Sequence, residues 1–414
     1  MRYVIIGAGP AGVVAAETIR HEDPVAEIML IGAEDAPPYS RMAIPYLLSG
    51  RINEGGTHLR KDHHHYRDLG IHTRHAHVRQ VDTSNRMLTL EGGEQVAYDR
   101  LLIATGSHPV LPRIPGNDLP GVQNCWTLED ARQIAERAQP GSRVVLVGAG
   151  FVACVIIKSL LDRGVQLTIL LGGSGRMVRS MMDEHAGYLI RRWCEKERGI
   201  RIVSGARTVR YQDDVEVVFD DGSTLTADLV IVASGVRTNT DFLGGSGIEI
   251  DTGIKVDEHM QTSVADVFAA GDVAQGRNLS TGGWDVHAIQ PTAVEHGRIA
   301  ALNMVGKRVR HQGSLAMNVL DTAGLISCSY GLWQGKEGGQ TALFLDESSY
   351  RYLRLEFFDN RLVGINCVGM TEHTGCARGL IQSATPLGDW EAVLVRDPVR
   401  LKEAYVACTR ARNG

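Results

Sequence analysis

Val4-Ile5-Ile6-Gly7-Ala8-Gly9-Pro10-Ala11-Gly12 is an apolar strand that runs directly into a G-x-G-x-x-G motif, and a helical stretch from Val13 to Arg20 follows it. In this context the first glycine permits a tight turn, the second lets the backbone approach a pyrophosphate, and the third allows close packing of helix on strand. The N-terminus of the helix adds free N–H groups and positive potential. The motif therefore predicts a dinucleotide-binding fold at the start of the chain.

An acidic residue stands where such a fold needs one. A second predicted strand, residues 27–31, ends close to Glu34. A carboxylate at that point can accept hydrogen bonds from both hydroxyls of an adenosine ribose, and its separation from the glycines fits the expected distance of about 20 residues. Strand, glycines, helix, strand and acid in this order form a much more specific signal than the glycines alone.

A second copy of the pattern begins at residues 143–153, RVVLVGAGFVA, with a predicted helix to Leu161 and an apolar strand over residues 166–171. The chain is therefore predicted to contain two dinucleotide folds. Two interpretations of the second copy stay open. It is either a working nucleotide site or a duplicate that has become purely structural.

The end of the second copy departs from the pattern. Leu171 is followed by Gly172-Gly173-Ser174-Gly175, without the acid that would hold a ribose. Ser174, Arg176 and Arg179 can instead serve a 2′-phosphate. NADH, NADPH and no productive nucleotide all remain open at this site.

Length and charge limit the class of protein. A chain of 414 residues exceeds what one core usually organises, and a net charge of −5 with 22% charged residues gives no broad basic surface. We therefore expect neither nucleic acid nor a membrane as a partner. The first strand begins almost at residue 1, and the apolar stretch at residues 152–161 is interrupted by Lys158. A cytoplasmic protein is expected.

Cysteines and histidines give no metal signature. The seven cysteines form no C-x-x-C pair, so a cysteine-bound iron–sulfur centre or zinc ribbon lacks its ligands. Histidines cluster at residues 63–65 and at His72, His75 and His77. We interpret these clusters as a polar helix from Lys61 to Leu69 followed by a surface strand, in preference to a metal site.

Three further motifs accompany the glycine loops: LIATG at residues 102–106, ASGVRTN at 233–239 and VFAAGD at 267–272. With them the chain resembles, over nearly its whole length, the pyridine nucleotide-disulfide oxidoreductase family of flavoprotein reductases, which includes rubredoxin and ferredoxin reductases and the flavin region of nitrite reductases. The resemblance implies an α/β fold with two Rossmann-like domains, the second inserted in the first, and a C-terminal α+β domain. The implied division is an FAD domain at 1–108 and 241–318, an NAD(P) domain at 109–240 and a C-terminal interface or dimerisation domain at 319–414.

The resemblance also implies cofactor-binding residues. Those for FAD are Gly7, Gly9, Pro10, Ala11, Gly12, Glu34, Arg41, Val78, Ala104, Thr105, Gly106, Gly271, Asp272, Pro291, Thr292 and Ala293. Those for NAD(P) are Gly148, Gly150, Ala153, Arg176 and Gly235. Among them Asp272 would hold the ribityl chain and Val78 the adenine. Residues 290–293 would present a helix N-terminus to the flavin, where the helix dipole stabilises the negative charge of the reduced ring.

A hairpin is predicted in the C-terminal region. Residues 350–358 and 361–368 alternate in hydrophobicity, and the turn dipeptide Asp359-Asn360 separates them.

The segment at residues 40–50 departs from the family. It resembles the stretch that carries the single redox cysteine of coenzyme A-disulfide reductases and NADH peroxidases, but Met42 stands at the position of that cysteine. No C-x-x-x-x-C pair follows the first helix either. A thioether forms neither a thiolate nor a mixed disulfide, so disulfide-reductase and peroxidase chemistry lose their nucleophile. Of the ways in which relatives pass on the electrons of the flavin, transfer to an external carrier is the one that remains.

A second departure concerns the place where nicotinamide would dock. In the ferredoxin-reductase branch a lysine and a glutamate lie beside the flavin, and this chain has Tyr46 and Val155 at those positions. Because both the lysine and the glutamate are replaced, neither charge is left buried without its partner. The neighbouring Cys154 is expected to be a small packed hydrophobe, because no partner cysteine or activating base is evident. No side chain is assigned a catalytic role, since the flavin itself would take the hydride.

The sequence thus predicts an FAD-dependent oxidoreductase that moves electrons between NAD(P)H and an external redox protein, with an iron–sulfur protein as the first candidate. The alternative is a non-catalytic FAD-bearing electron-transfer or scaffold subunit of a larger metalloenzyme, such as a tungsten aldehyde oxidoreductase. Either a homodimer or a subunit of a hetero-complex is compatible with the C-terminal region.

Overall fold

A computed structural model describes residues 1–173, 175–205, 207–212 and 215–412 of the chain. The helices in this part are α1 (Pro10–Glu22), α2 (Ile44–Leu48), α3 (His65–Asp68), α4 (Leu128–Arg137), α5 (Phe151–Asp162), α6 (Glu184–Lys196), α7 (Gln290–Met304), α8 (Thr374–Gln382), α9 (Trp390–Arg396) and α10 (Leu401–Arg412). Short 3₁₀ turns lie at Arg41–Ala43, Glu54–Thr57, Asp241–Leu243, Gly271–Val273, Glu347–Ser349 and Pro398–Arg400.

The strands of the described residues are, in chain order, β1 (Arg2–Ile6), β2 (Glu27–Gly32), β3 (Ile71–His75), β4 (Val78–Asp82), β5 (Met87–Leu90), β6 (Gln95–Ala97), β7 (Arg100–Ile103), β8 (Ser107–Pro109), β9 (Val122–Gln123), β10 (Arg143–Val147), β11 (Gln166–Leu171), β12 (Arg201–Ser204), β13 (Thr208–Gln212), β14 (Glu216–Phe219), β15 (Thr224–Thr226), β16 (Leu229–Val232), β17 (Val236–Thr238), β18 (Ile254–Lys255), β19 (Val267–Ala269), β20 (Ala274–Arg277), β21 (Trp284–Val286), β22 (Met317–Thr322), β23 (Leu325–Gly331), β24 (Gln340–Asp346), β25 (Arg351–Phe358) and β26 (Arg361–Val368).

The chain forms two compact units, each assembled from separate segments. The first unit comprises Met1–Leu47, Ile52–His108 and Val236–Ser314, and the second comprises Leu48–Arg51, Pro109–Gly235 and Leu315–Gly414. The second glycine fold and the C-terminal region therefore share one unit. A finer division, with the C-terminal region from residue 319 as a domain of its own, stays a prediction.

The first unit is built on a parallel sheet in the order β19-β7-β1-β2-β3. Its central strands are continuous apolar runs, and Ile5, Leu30 and Leu102 are completely buried, as is typical of a parallel sheet covered on both faces. Helices α1 and α7 lie so close together that a Cβ on Gly297 would come within 2.2 Å of the Ala11 carbonyl oxygen. This tight packing places the middle of α7 against the first turn of α1.

The second unit repeats this parallel arrangement in the order β12-β11-β10-β16-β9 and adds an antiparallel sheet in the order β22-β23-β26-β25-β24. Two Rossmann-like folds and a C-terminal α+β region confirm the predicted α/β fold class. The predicted hairpin is present as β25 and β26. Its turn residues Asp359 and Asn360 have φ angles of 52° and 53°, and a two-residue turn with both φ angles positive matches the twist of the strands.

The prediction of a polar helix from Lys61 to Leu69 is wrong, because only His65–Asp68 are helical. The carboxylate of Asp62 accepts a hydrogen bond from the His64 backbone N–H at 2.8 Å, and such a local turn competes with a helix. His72 and His75 lie on β3, an edge strand paired with β2, while His77 lies between β3 and β4.

Two negative findings concern the described part of the chain. It contains no group of three or more histidine, cysteine and acidic side chains arranged to hold a metal ion. Its helices are all too short or too polar to traverse a lipid bilayer.

Candidate functional site

The first glycine loop has the close contacts that the motif predicts. Gly7 has a φ of 114°, and a Cβ on it would come within 2.1 Å of the Ala104 carbonyl oxygen. A Cβ on Gly12 would come within 1.9 Å of the Gly7 carbonyl oxygen. Gly9 is different, because a Cβ there would meet none of the described atoms within 4 Å. Gly7 and Gly12 thus serve packing, while Gly9 leaves space above the N-terminus of α1.

Glu34 follows β2 and is held by two neighbours. Its carboxylate accepts hydrogen bonds from the Tyr39 hydroxyl at 2.5 Å and from Nη2 of Arg41 at 2.9 Å. Nη1 of Arg41 donates to the Ser107 carbonyl at 3.2 Å. Burial, and then the bond to Glu34, raise the pKa of Tyr39, so that its hydroxyl stays a donor. Each carboxylate oxygen keeps further lone pairs that can accept from a ribose.

A cavity of about 460 Å³ opens beside Glu34 at the carboxyl ends of β1, β2 and β3. Ligands bind at this edge of an open parallel sheet. Several polar side chains that line the cavity follow no recognisable spacing in the sequence and were not predicted: His58, Arg60, Tyr66 on α3 and Arg74 on β3. The predicted adenine contact, Val78, is half-buried at the start of β4 and packs against the core of the unit.

Asp272 lies in a 3₁₀ turn at the end of β19. Gly271 before it has a φ of 77°, and a Cβ there would lie 3.3 Å from the Cβ of Ala11 and 3.4 Å from that of Ala293. Burial raises the pKa of the Asp272 carboxyl, while Arg41 and Ser107 partly offset this effect. The turn therefore brings an acidic side chain to the place where α1 and α7 begin.

The start of α7 is fixed by a side-chain contact. The Oε1 atom of Gln290 accepts a hydrogen bond from the Ser40 hydroxyl at 2.6 Å. Pro291 occupies the first turn, where its missing N–H costs nothing, and Thr292 and Ala293 behind it are buried.

Thr105 is held in the same unit, since its hydroxyl donates to the Asn239 carbonyl at 2.9 Å. Gly106 after it has a φ of 65°.

These residues of the first unit fit FAD. The loop offers an open glycine at a helix N-terminus for a pyrophosphate, Glu34 offers acceptors for a ribose, and Asp272 offers a buried acceptor for further hydroxyl groups. Each assignment of a single residue to a part of FAD stays a prediction.

The second glycine loop repeats the geometry of the first. Gly148 has a φ of 99°, and a Cβ on it would come within 2.5 Å of the Ala233 carbonyl oxygen. Gly150 precedes α5, and a Cβ there would again meet none of the described atoms within 4 Å. Ala153 behind the loop is completely buried. The backbone features that a pyrophosphate needs are thus intact, which favours a working nucleotide site over a decayed duplicate.

The segment after β11 carries the residues considered for a 2′-phosphate. Nη2 of Arg176 donates to the Met182 carbonyl at 2.9 Å, and its Nη1 lies 3.8 Å from Oε1 of Glu184. Arg179 is exposed, while Ser174 lies outside the described residues. Gly235, after β16, is exposed with a φ of 124°. The Arg176 guanidinium is therefore held by its own loop.

The residues at the positions that the resemblance assigns to the redox cysteine and the nicotinamide carry no activated nucleophile. Met42 lies in a 3₁₀ turn and is 47% exposed, and Tyr46 is also exposed. Cys154 is completely buried, and burial raises the pKa of its thiol. This supports its interpretation as a packed hydrophobe. Val155 is half-buried in α5.

Comparison with known proteins gives a consistent result. Residues 1–297 match the model of the family described as "Pyridine nucleotide-disulphide oxidoreductase". The epsilon subunit of an NADH-dependent phenylglyoxylate dehydrogenase from Aromatoleum evansii is 31% identical over 99% of this chain and 98% of its own length. An NADH oxidase of Methanocaldococcus jannaschii is 32% identical over 74% of this chain and 70% of its own length.

Solved structures agree in fold. The reductase in a covalent putidaredoxin reductase–putidaredoxin complex superposes with a TM-score of 0.89 at 23% identity and covers 99% of both chains. At this level of identity the likeness establishes the common architecture.

Proposed function

The chain belongs to the pyridine nucleotide-disulphide oxidoreductase family, and we propose that it passes electrons between a nicotinamide nucleotide and an external redox protein by way of bound FAD. It is an oxidoreductase, and its cofactors are FAD and NAD(P)H. The single observation that carries the proposal is the combination of two intact glycine loops with Met42 at the redox-cysteine position. Such a chain has a place for each nucleotide and lacks the usual internal acceptor.

Within this proposal the residues of the chain have defined tasks. Bound FAD supplies the chemistry that accepts or donates a hydride. Gly9 lets its pyrophosphate approach the N-terminus of α1, which the packing at Gly7 and Gly12 holds in place, and Glu34 and Asp272 bind its hydroxyl groups. Arg41 contributes positive charge between these two carboxylates, since it bonds Glu34 and acts electrostatically on Asp272.

The tasks in the second unit concern orientation. Gly148 and Gly150 let the second nucleotide approach the backbone, and the exposed Gly235 leaves room beside it. Hydride transfer depends on stacking geometry, so close approach replaces acid–base catalysis by a side chain. Val155 on α5 of the same unit is proposed to border the nicotinamide.

The partner is proposed to be an iron–sulfur or other one-electron protein. A ferredoxin–NAD(+) reductase component of a biphenyl dioxygenase system from Paraburkholderia xenovorans is 32% identical over 65% of this chain. The epsilon subunit noted above belongs to a multi-subunit dehydrogenase by its name. We therefore propose that the chain works with a separate protein, in the cytoplasm. The C-terminal region would contact either that protein or a second copy of the chain.

A purely structural role for the flavin is not favoured. The second glycine loop keeps the contacts of a nucleotide site, and a relative that matches almost the whole chain is named as a subunit of an NADH-dependent dehydrogenase. A scaffold would have no need of an open glycine at position 150.

The proposal is tested by anaerobic stopped-flow mixing of the full chain with NADH or NADPH, followed at the flavin band. We expect reduction of the flavin, and reoxidation when oxidised [2Fe–2S] ferredoxin is added. The variant that tests the second glycine loop is Gly150→Ala, whose methyl group fills the space above α5 without a clash in the described fold. It should keep FAD and lose reduction. Failure of both nucleotides to reduce the wild-type flavin would leave the scaffold role instead.

A further inference from the structure

The loop of residues 175–183, which follows β11, is attached to the second glycine loop. The Val178 N–H donates to the Ala149 carbonyl at 2.7 Å, and the Val178 carbonyl accepts from the N–H groups of Met181 and Met182. Val178 is completely buried and has a φ of 51°. A β-branched residue in this left-handed region is strained, so the surrounding contacts must hold it there.

The other end of loop 175–183 is attached to the C-terminal sheet through one side chain. Asn366 on β26 is completely buried. Its Nδ2 donates to the Met181 carbonyl at 2.8 Å, and its Oδ1 accepts from the Asp183 N–H at 3.3 Å. A single amide thus satisfies both a carbonyl and an N–H of the loop.

A second attachment runs through the Asp183 carboxylate, which also caps α6 by accepting from the Ala186 N–H at 2.9 Å. Tyr352 on β25 donates its hydroxyl hydrogen to Oδ2 of Asp183, and Nη1 of Arg354 lies 3.4 Å from the same oxygen. Tyr352 is buried, and burial together with this bond raises its pKa, so the phenol stays protonated. The carboxylate cannot turn away without leaving the phenol unpaired.

Loop 175–183 occupies the position that discriminates nucleotides in a Rossmann fold, after the second strand. Arg176 belongs to this loop and donates to the carbonyl of Met182, the residue between the two that Asn366 binds. The path from the C-terminal sheet to the glycine loop is therefore continuous, because Asn366 bonds Met181, Met181 bonds Val178 and Val178 bonds Ala149.

We propose that Asn366 and Tyr352 are positioning residues, which hold loop 175–183 in place and thereby set the affinity of the second glycine loop for the nicotinamide nucleotide. The inference rests on the proposed function, since it requires that a nucleotide binds there. The physical reason is that removing either partner leaves buried polar groups unpaired, and the strained backbone at Val178 then relaxes.

The main test is Asn366→Ala in the full chain, with NADH and NADPH titrated against the rate of flavin reduction. We expect the apparent Kd of both nucleotides to rise about tenfold while the limiting rate changes by less than about twofold. FAD content should stay unchanged. The matched control is Ile365→Val, because Ile365 is the neighbouring buried residue whose side chain points to the opposite face of the sheet. This control should leave both Kd values unchanged.

Two further measurements make the outcome decisive. Tyr352→Phe removes one hydroxyl and keeps the ring, so it should give the same effect in weaker form even if Asn366→Ala does not fold. Hydrogen exchange of loop 175–183 without nucleotide should accelerate in either variant and not in Ile365→Val. Unchanged exchange and unchanged Kd in a folded Tyr352→Phe protein would overturn the inference. If exchange accelerates but the wild-type flavin is reduced by neither nucleotide, the proposed function fails and the positioning contact itself stands.

Discussion

Gly12 lies directly against the carbonyl group of Gly7, so that a methyl group on Gly12 would come within 1.9 Å of that oxygen. Gly12→Ala should therefore displace backbone and lower the free energy of unfolding by about 3 kcal/mol or more. Gly9→Ala should fold normally, because Gly9 has a φ of −80° and open space around its Cβ. It should still lose FAD affinity, since its methyl group stands where a pyrophosphate must approach. Urea unfolding without FAD and FAD titration separate the two effects.

Glu34→Ala should weaken FAD binding. Two ribose hydroxyls would lose a charged acceptor, at roughly 1.5–3 kcal/mol for each hydrogen bond. Tyr39→Phe is the matched control, because it removes one donor to Glu34 and leaves the carboxylate in place. Fluorescence titration of the flavin-free proteins with FAD measures both. Equal affinities of Glu34→Ala and wild type would refute the ribose assignment.

Asp272→Asn should stabilise the protein without FAD and weaken its hold on FAD. Burial raises the pKa of Asp272, so its carboxylate destabilises the FAD-free fold at a pH above the raised value. The penalty disappears as the pH falls below 3.8, the ordinary value, where both folded and unfolded chains are protonated. The variant should thus unfold at a higher temperature than wild type at pH 7, and the difference should shrink on acidification. A difference that grows in acid would contradict the argument.

Thiol chemistry should play no part in turnover. Met42 replaces the redox cysteine, and all described cysteines are free thiols, of which Cys376 alone is not buried. We expect iodoacetamide to leave flavin reduction by nucleotide intact. Turnover with hydrogen peroxide or coenzyme A disulfide should be slow. Fast turnover that alkylation abolishes would show that a thiol reacts after all.

The choice between NADH and NADPH should be weak. A carboxylate after β11 would bind the 2′-hydroxyl and repel a 2′-phosphate, and its absence removes both effects. We expect a preference for NADH below about tenfold, and a loss of about tenfold in NADPH efficiency in Arg176→Ala. Asn366→Ala, in contrast, should affect both nucleotides alike. An Arg176→Ala enzyme with unchanged NADPH kinetics would exclude the arginine from phosphate binding.

The parts of the structure that the sequence predicts are those set by local geometry. The two glycine loops, the bounds of β11 and the hairpin at Asp359-Asn360 depend on residues close in the chain, whose backbone angles leave few alternatives. The prediction of a polar helix at residues 61–69 was wrong because the Asp62 side chain forms a local hydrogen bond that competes with the helix. The partners of Glu34 and the contact of Asn366 with Met181 were not foreseen, since tertiary packing alone brings them together.

The interrupted layout of the first unit has a consequence for synthesis on the ribosome. Strand β7 lies between β1 and β19, and Val267 on β19 pairs with Leu101 on β7. At about 5–20 residues per second, the newly made β7 waits on the order of 10 s for the strand that covers its edge. During that time an apolar strand edge is open to pairing with other chains. The yield of intact protein is therefore expected to rise when production is slower or chaperone capacity is greater. A more stable final fold should matter less for the yield.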